Sequence, residues 1–165
     1  MSLKIVVIAF TLAGAITMLT SEQSVTIFGI VIQARYTYSS AFRFKVVADS
    51  LVCALSLLSL FLVYCNSNPN YYFFLLCHYM VSMVVLISGC AASTAIGYVG
   101  KFGQSQTGWV GICDRVDKFC DKILLSIALS YVAFISLFVL AIMAAYKLNS
   151  LAAYKLNSLA APTIR

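Results

Sequence analysis

The residues able to do chemistry in this chain are few and gathered. Seven of its sixteen formally charged side chains lie between Lys101 and Lys122. That stretch contains "GWVGICDRVDKFCDK", with Cys113 and Cys120 seven apart and Trp109 just before them. Asp114, Asp117 and Asp121 alternate there with Arg115, Lys118 and Lys122. Nucleophilic catalysis would need a base, and the one histidine, His78, sits inside an apolar run. Neither a Ser/His/Asp nor a Cys/His arrangement can be built in the polar stretch without it. The three aspartates could share a hard cation, but the interleaved bases cancel the field it would need. Zinc asks for four ligands where a C-x6-C pair offers two, and a redox pair would read C-x-x-C. No catalytic residue, metal or cofactor is therefore expected.

A staple remains. On a straight helix, residues seven apart rise about 10.5 Å, whereas a disulfide needs Cα atoms within about 7 Å. A Cys113–Cys120 bond requires the segment to fold back as a loop, which Gly103, Gly108 and Gly111 favour. Such a bond persists on an oxidising face of a membrane. The alternative is two free thiols in a cytosolic loop. Cys53, Cys65, Cys77 and Cys90 lie in or at the ends of apolar runs and read as small hydrophobes.

Two isolated polar groups fall within those runs. Asp49 is near the start of its run, where a helix dipole favours an anion, and Lys45 is one turn away. His78 lies about two turns from a polar turn. Lying deep, either would mark a transport pathway, although a transporter would show more intramembrane charge and discontinuous helices.

The elements that must position these residues are membrane spans. The chain is 62% hydrophobic and 10% charged, with a mean hydropathy of +0.98, against roughly 25% charged in an ordinary soluble domain. There is too little polar surface to cover a soluble core. The net charge of +6 arises from few acids, and its bases are scattered singly. That pattern suits anionic lipid headgroups and argues against nucleic acid. Four apolar runs of membrane length predict helices over about residues 4–21, 46–65, 71–99 and 123–146, followed by a tail at 149–165. The expected fold class is all-α integral membrane, a four-helix bundle, because the runs lack barrel alternation. The first run, with Lys4 and "AGA", also has the cues of a cleaved signal peptide. Its apolar character nevertheless continues past that point.

The joints differ in kind. "NSNPN" at 66–70 predicts a tight turn joining two antiparallel helices. The joint before the second run alternates partly, through Val25, Ile27, Ile30 and Ile32, and predicts a short β-segment. Tyrosines cluster at the ends of the runs as an interfacial belt. Both termini share one side. Four Lys and Arg accompany the termini and seven the long joints, which by the positive-inside rule puts those joints in the cytosol, against the staple. The tail repeats "AAYKLNSL" at 144–151 and 152–159, read as an extension of the fourth helix. Gly89, Ser93 and Gly97, spaced by four, form one small-residue face. It suits close approach of another helix, either within the bundle or at a subunit seam.

"YSSAFRFKVVADSL" and "GCAASTAIGYVGKFGQSQTGWVGICDRVDKFCDK" resemble the Casparian strip membrane domain protein-like (CASP-like) family of plants, and its first subgroup in particular. The resemblance covers roughly Leu3 to Leu148. It implies a four-span bundle related to the MARVEL superfamily, resident in the plasma membrane, with cytosolic termini and extracellular long joints. It implies paired loop cysteines, homo- and hetero-oligomers and no enzymatic activity. Founding members form a membrane scaffold that excludes diffusing proteins and recruits wall-modifying enzymes. The chain departs from that pattern in three ways. Lys4 matches the family's basic residue of the first span, but the region of its acid in the third span reads Cys77, His78, Tyr79. The distinctive first extracellular loop of the founding members is not found, and with an arm of about three residues no N-terminal interaction site is expected. The expected function is a non-enzymatic scaffold that assembles laterally and organises wall-modifying machinery. Trp109 and Phe119 would then be anchors at the membrane edge or to a partner. The competing reading is a small oligomeric channel or transporter lined by the helices, with His78 on its path.

Overall fold

A computed structural model of the chain describes residues 2–27, 30–65, 71–104, 106, 108 and 110–160. Its elements run α1 (Ser2–Leu19), β1 (Glu22–Ile27), β2 (Ile30–Arg35), a 3-10 turn (Tyr36–Tyr38), α2 (Ser40–Cys65), α3 (Tyr71–Phe102) and α4 (Asp117–Ala160). All four helices are long and apolar enough to cross a membrane. The turn expected at 66–70 lies outside the described residues.

The helices pack in a ring, α1 on α2 and α4, and α3 on α2 and α4. Neighbours run antiparallel. Tyr71 Oη donates to Ser59 O at 2.8 Å near one end of the α2–α3 pair, and Ser93 Oγ reaches Ala41 O at 3.3 Å near the other. The polarity of the surface is that of a membrane protein. Ile5, Phe61, Phe74, Val84 and Ile135 face outward, while Thr11, Ser82, Ser93, Ser126 and Ser130 are buried. α1 is a full wall of the ring, burying Val7, Thr11, Gly14, Ala15 and Met18. α1 thus packs as the other three helices do.

Several helix bounds differ from the hydropathy reading, three of them for one reason. α2 starts at Ser40 and not at 46, α3 runs on to Phe102, and α4 starts at Asp117 and not at 123. A hydropathy window stops at a charge, but a helix does not. The polar first turn of α4 lies exposed, with Asp117 at the end where the dipole favours an acid. α4 also continues without a break through the tandem repeat. Its 44 residues make it about 66 Å long, twice the roughly 30 Å of hydrocarbon it crosses.

The β-segment expected in the first joint is present as a hairpin, with β1 and β2 antiparallel from Glu22↔Arg35 to Ile27↔Ile30. An exposed Glu22–Arg35 ion pair closes its open end, and exposed pairs of this kind contribute little stability.

Candidate functional site

The bundle interior is layered. One apolar cluster holds Val7, Val52, Leu75, Tyr79, Leu86 and Leu137 with their neighbours. A second, toward the hairpin, holds Met18, Phe42, Ile123 and Ile127. Between them, by position along α1, α2 and α4, lies a polar layer formed by Gly14, Lys45, Asp49, Ser126 and Ser130.

Lys45 and Asp49 stand one turn apart on α2, both 0% exposed, with Nζ 2.6 Å from Oδ2. Ser126 and Ser130 share a face of α4 by the same spacing. Lys45 Nζ donates to Ser126 Oγ at 3.0 Å and to Ser130 Oγ at 2.8 Å. An ammonium has three protons, so all its donors are used. Ser130 Oγ in turn lies 3.0 Å from Asp49 Oδ1, and Ser126 Oγ donates to Gly14 O at 2.7 Å. Three helices are tied by one cluster. Gly14 makes this possible, because a Cβ there would sit 2.9 Å from Ser130 Oγ and 3.3 Å from Asp49 Oδ2. Asp49 therefore occupies the third turn of α2, inside the bundle, and not the helix start, where the dipole would hold it. Lys45 is its partner within the membrane instead of a loop charge.

His78 has a different setting. Its Nε2 is buried without a hydrogen-bond partner, and its ring leans on Tyr79 at 5.4 Å. Lys4 Nζ is also buried without a hydrogen bond and lies 5.6 Å over the Tyr79 ring. The basic residue of the first span thus meets the third span where no acid is available, and the electron-rich face of Tyr79 receives it. Among the described residues, no group of three or more His, Cys, Asp or Glu side chains gathers as a metal site would require.

The opening stretch is folded back and closed. A Cys113–Cys120 disulfide is formed, with Cα atoms 5.7 Å apart. Cys113 lies in a turn and Cys120 in the first turn of α4, which removes the straight-helix obstacle. α3 ends at Gly103, whose φ of 68° and N–H bond to Val99 O at 2.8 Å form a left-handed cap. The loop then docks on the end of α3. Ile112 N–H donates to Gly100 O at 2.8 Å, and a Cβ on Gly111 would lie 2.6 Å from Lys101 O. The hairpin side is tied as well. Phe119 N–H donates to Gln23 Oε1 at 2.9 Å, and Lys122 Nζ to Thr20 O at 2.9 Å, where it caps the end of α1. Phe119, expected as an outward anchor, turns inward, its ring edge-on to Phe42 at 6.5 Å. Trp109 lies outside the described residues.

The small-residue stripe faces inward too. A Cβ on Gly89 would meet Ala48 Cβ at 3.1 Å and Lys45 Cα at 3.3 Å, while Ser93 is buried against α2. Gly97 is half-exposed, and its nearest neighbour would be Ile127 Cδ1 at 4.0 Å. The first two members are therefore spent on intrachain packing. Gly89→Leu is expected to cost about 1–3 kcal/mol or more by overpacking the α2–α3 contact. Gly97→Leu should cost well under that, and unfolding in mixed micelles would rank the two. Equal costs would refute this placement.

Sequence reasoning missed Gly14, Ser126 and Ser130. A signal was present, since two serines one turn apart in an otherwise apolar run mirror the Lys45/Asp49 spacing.

Fold and site together define a class: a four-span helical membrane protein with its intramembrane charge sealed inside and one disulfide-closed loop. The model of the Casparian strip membrane protein domain matches residues 1–136. The chain belongs to that family. It is similar to CASP-like protein 1F1 of Vitis vinifera, 44% identical over 137 residues, which are 81% of this chain and 66% of that protein. CASP-like protein 1F2 of Ricinus communis is 49% identical, over 79% of this chain and 67% of its own length. CASP-like protein 1F2 of Vitis vinifera is 47% identical, over 83% and 74%. These relatives place the chain with subgroup 1. The chain spans about two thirds of the length of the first two relatives. No solved structure matches.

Proposed function

We propose that this protein is a non-enzymatic plasma-membrane scaffold, a rigid pillar that assembles laterally with copies of itself and with related four-span proteins. In this reading it displays a fixed external face to the machinery that modifies the cell wall. One observation carries it, the sealed Lys45–Asp49–Ser126–Ser130 cluster. Intramembrane charge is consumed inside one subunit, where it locks helices together and lines no path. The channel reading needs polar groups at a subunit surface, whereas the Asp49 side chain and His78 Nε2 are buried within the chain.

The external face is the hairpin and the disulfide loop, tied to each other through Phe119 and Gln23. A disulfide persists on an oxidising side, so the long joints are extracellular and both termini cytosolic. The opposing charge tally is weakened, because Lys45 belongs to the bundle interior and not to a joint. Lateral contacts fall to the outward apolar faces, with half-exposed Gly97 the member of the small-residue stripe still open to a neighbour.

Photobleaching of a fluorescently tagged copy in plant plasma membrane tests this reading. Patches that stay dark for minutes are the expected result. Rapid, complete recovery would sink the scaffold and bring transport forward, to be assayed as flux in proteoliposomes.

A further inference from the structure

The two ends of the bundle differ in charge. All four acids outside the polar layer, Glu22, Asp114, Asp117 and Asp121, belong to the hairpin and loop end. The end that carries the termini holds Lys4, Lys147 and Lys155 among the described residues, and no acidic side chain. Lys4 Nζ stands there without a hydrogen-bond acceptor. Cationic groups that no carboxylate answers, set against low-dielectric walls, concentrate anions at that end.

A cleft opens at the same end. It has a volume of about 240 Å³ and is lined by Tyr72 from the first turn of α3 and by Tyr146, Lys147, Ser150 and Leu151 of α4. The four polar side chains have no hydrogen-bond partner among the described residues. Their chemistry converges on one ligand class. An ammonium and three hydroxyls suit the oxygens of a phosphate, since hydrogen bonds to a charged acceptor are the strong ones. The two tyrosines flank the level where the apolar run of α4 ends, which is the headgroup level of a bilayer. Leu151 closes the cleft on its outer side, one turn beyond Lys147 along α4. The volume lies below the roughly 300–1,000 Å³ of pockets that enclose a whole small molecule. It fits a headgroup whose remainder stays in the membrane.

We propose that this cleft seats the phosphate headgroup of an anionic phospholipid, held by Lys147 with Tyr72, Tyr146 and Ser150 and backed by Leu151. The site is independent of lateral assembly and adds a specific lipid to the bundle.

The tandem repeat provides an internal control. Tyr154 and Lys155 repeat Tyr146 and Lys147 eight residues on. They lie about 12 Å further along the helix and are not part of the cleft that Tyr72 lines. Native mass spectrometry of the purified full chain, released from micelles doped with phosphatidic acid or with phosphatidylcholine, measures retention. Phosphatidic acid should be retained preferentially. Lys147→Ala should lower its affinity about tenfold, the worth of one charge-assisted hydrogen bond. Tyr72→Phe should lower it by less, and Lys155→Ala should leave it unchanged. Lys147 is exposed, so an unaltered circular dichroism spectrum is expected for each variant. Equal losses in the Lys147 and Lys155 variants would reduce the effect to general surface attraction and overturn the site. So would equal retention of the two lipids. Displacement by millimolar inorganic phosphate would assign the cleft to a soluble anion and overturn the lipid.

Discussion

Asp49→Leu should lower the unfolding free energy of the bundle by about 3–5 kcal/mol, because it strands a buried ammonium without its counter-charge. The two serines left around Lys45 Nζ are neutral acceptors and do not replace a carboxylate at 2.6 Å. The same physics sets the companion result. The double variant Lys45→Met/Asp49→Leu removes both charges together and should regain most of the loss. Buried ion pairs replaced by apolar residues of similar volume are often neutral, or more stable by about 1–4 kcal/mol. Ser126 can still donate to Gly14 O in that variant, so one tie between α1 and α4 survives. Reversible unfolding in micelles of increasing dodecyl sulfate fraction measures all three proteins. A double variant as weak as the single one would mean that shape, and not charge, dominates the polar layer. The wild-type pair should also be insensitive to salt, since neither member is exposed and counterions cannot reach it.

The second large effect is expected at the other end. Breaking the Cys113–Cys120 bond, by Cys113→Ser/Cys120→Ser, frees a loop closed across a sequence separation of 7. On the chain-entropy account, a closed loop of that size contributes about 2–3 kcal/mol. The loss should stay local. The loop sits on the ends of α3 and α4, above the cluster of Met18, Phe42, Ile123 and Ile127, and the polar layer lies deeper. Hydrogen exchange should therefore quicken over residues 110–120 and at Phe119, whose N–H is held by Gln23, while the spans stay protected. Electrophoresis provides an independent readout. Reductant should shift the wild-type band and leave the double variant unmoved. A wild-type band blind to reductant would remove the staple, and with it the argument that the long joints face an oxidising side.

These two variants separate what holds the bundle together from what fixes the face formed by the hairpin and the loop. In the scaffold reading, the Asp49 change should disperse the assembly by weakening every subunit. The cysteine change should leave assembly intact and reduce only what the loop presents.

How much of this was legible beforehand follows from how local each feature is. Four spans could be read from the lengths of the apolar runs, since in lipid a helix satisfies its backbone within its own segment. A short β-segment showed as alternation between Val25 and Ile32, though its pairing as a hairpin did not. The staple followed from two cysteines in a glycine-flanked polar stretch. All are short-range properties of the chain. The polar layer is of another kind. Lys45 finds Ser126 and Ser130 across separations of 81 and 85 residues, and that match depends on the relative register of α2 and α4. Hydropathy alone began the second span after Lys45, because it prices a lone cation in hydrocarbon and cannot see the partners that cancel the cost. The same reason hid the direction of Phe119 and of the Gly89–Ser93–Gly97 face. Spacing along a helix shows which residues share a side, but the neighbour on that side is a fact of packing. The sequence by itself determined the membrane and the number of helices, gave the first joint β character and favoured the closed loop. Only the tertiary structure decided that the charge is sealed within the bundle and that Gly89 and Ser93 are spent inside it, because both rest on contacts between segments far apart in the chain.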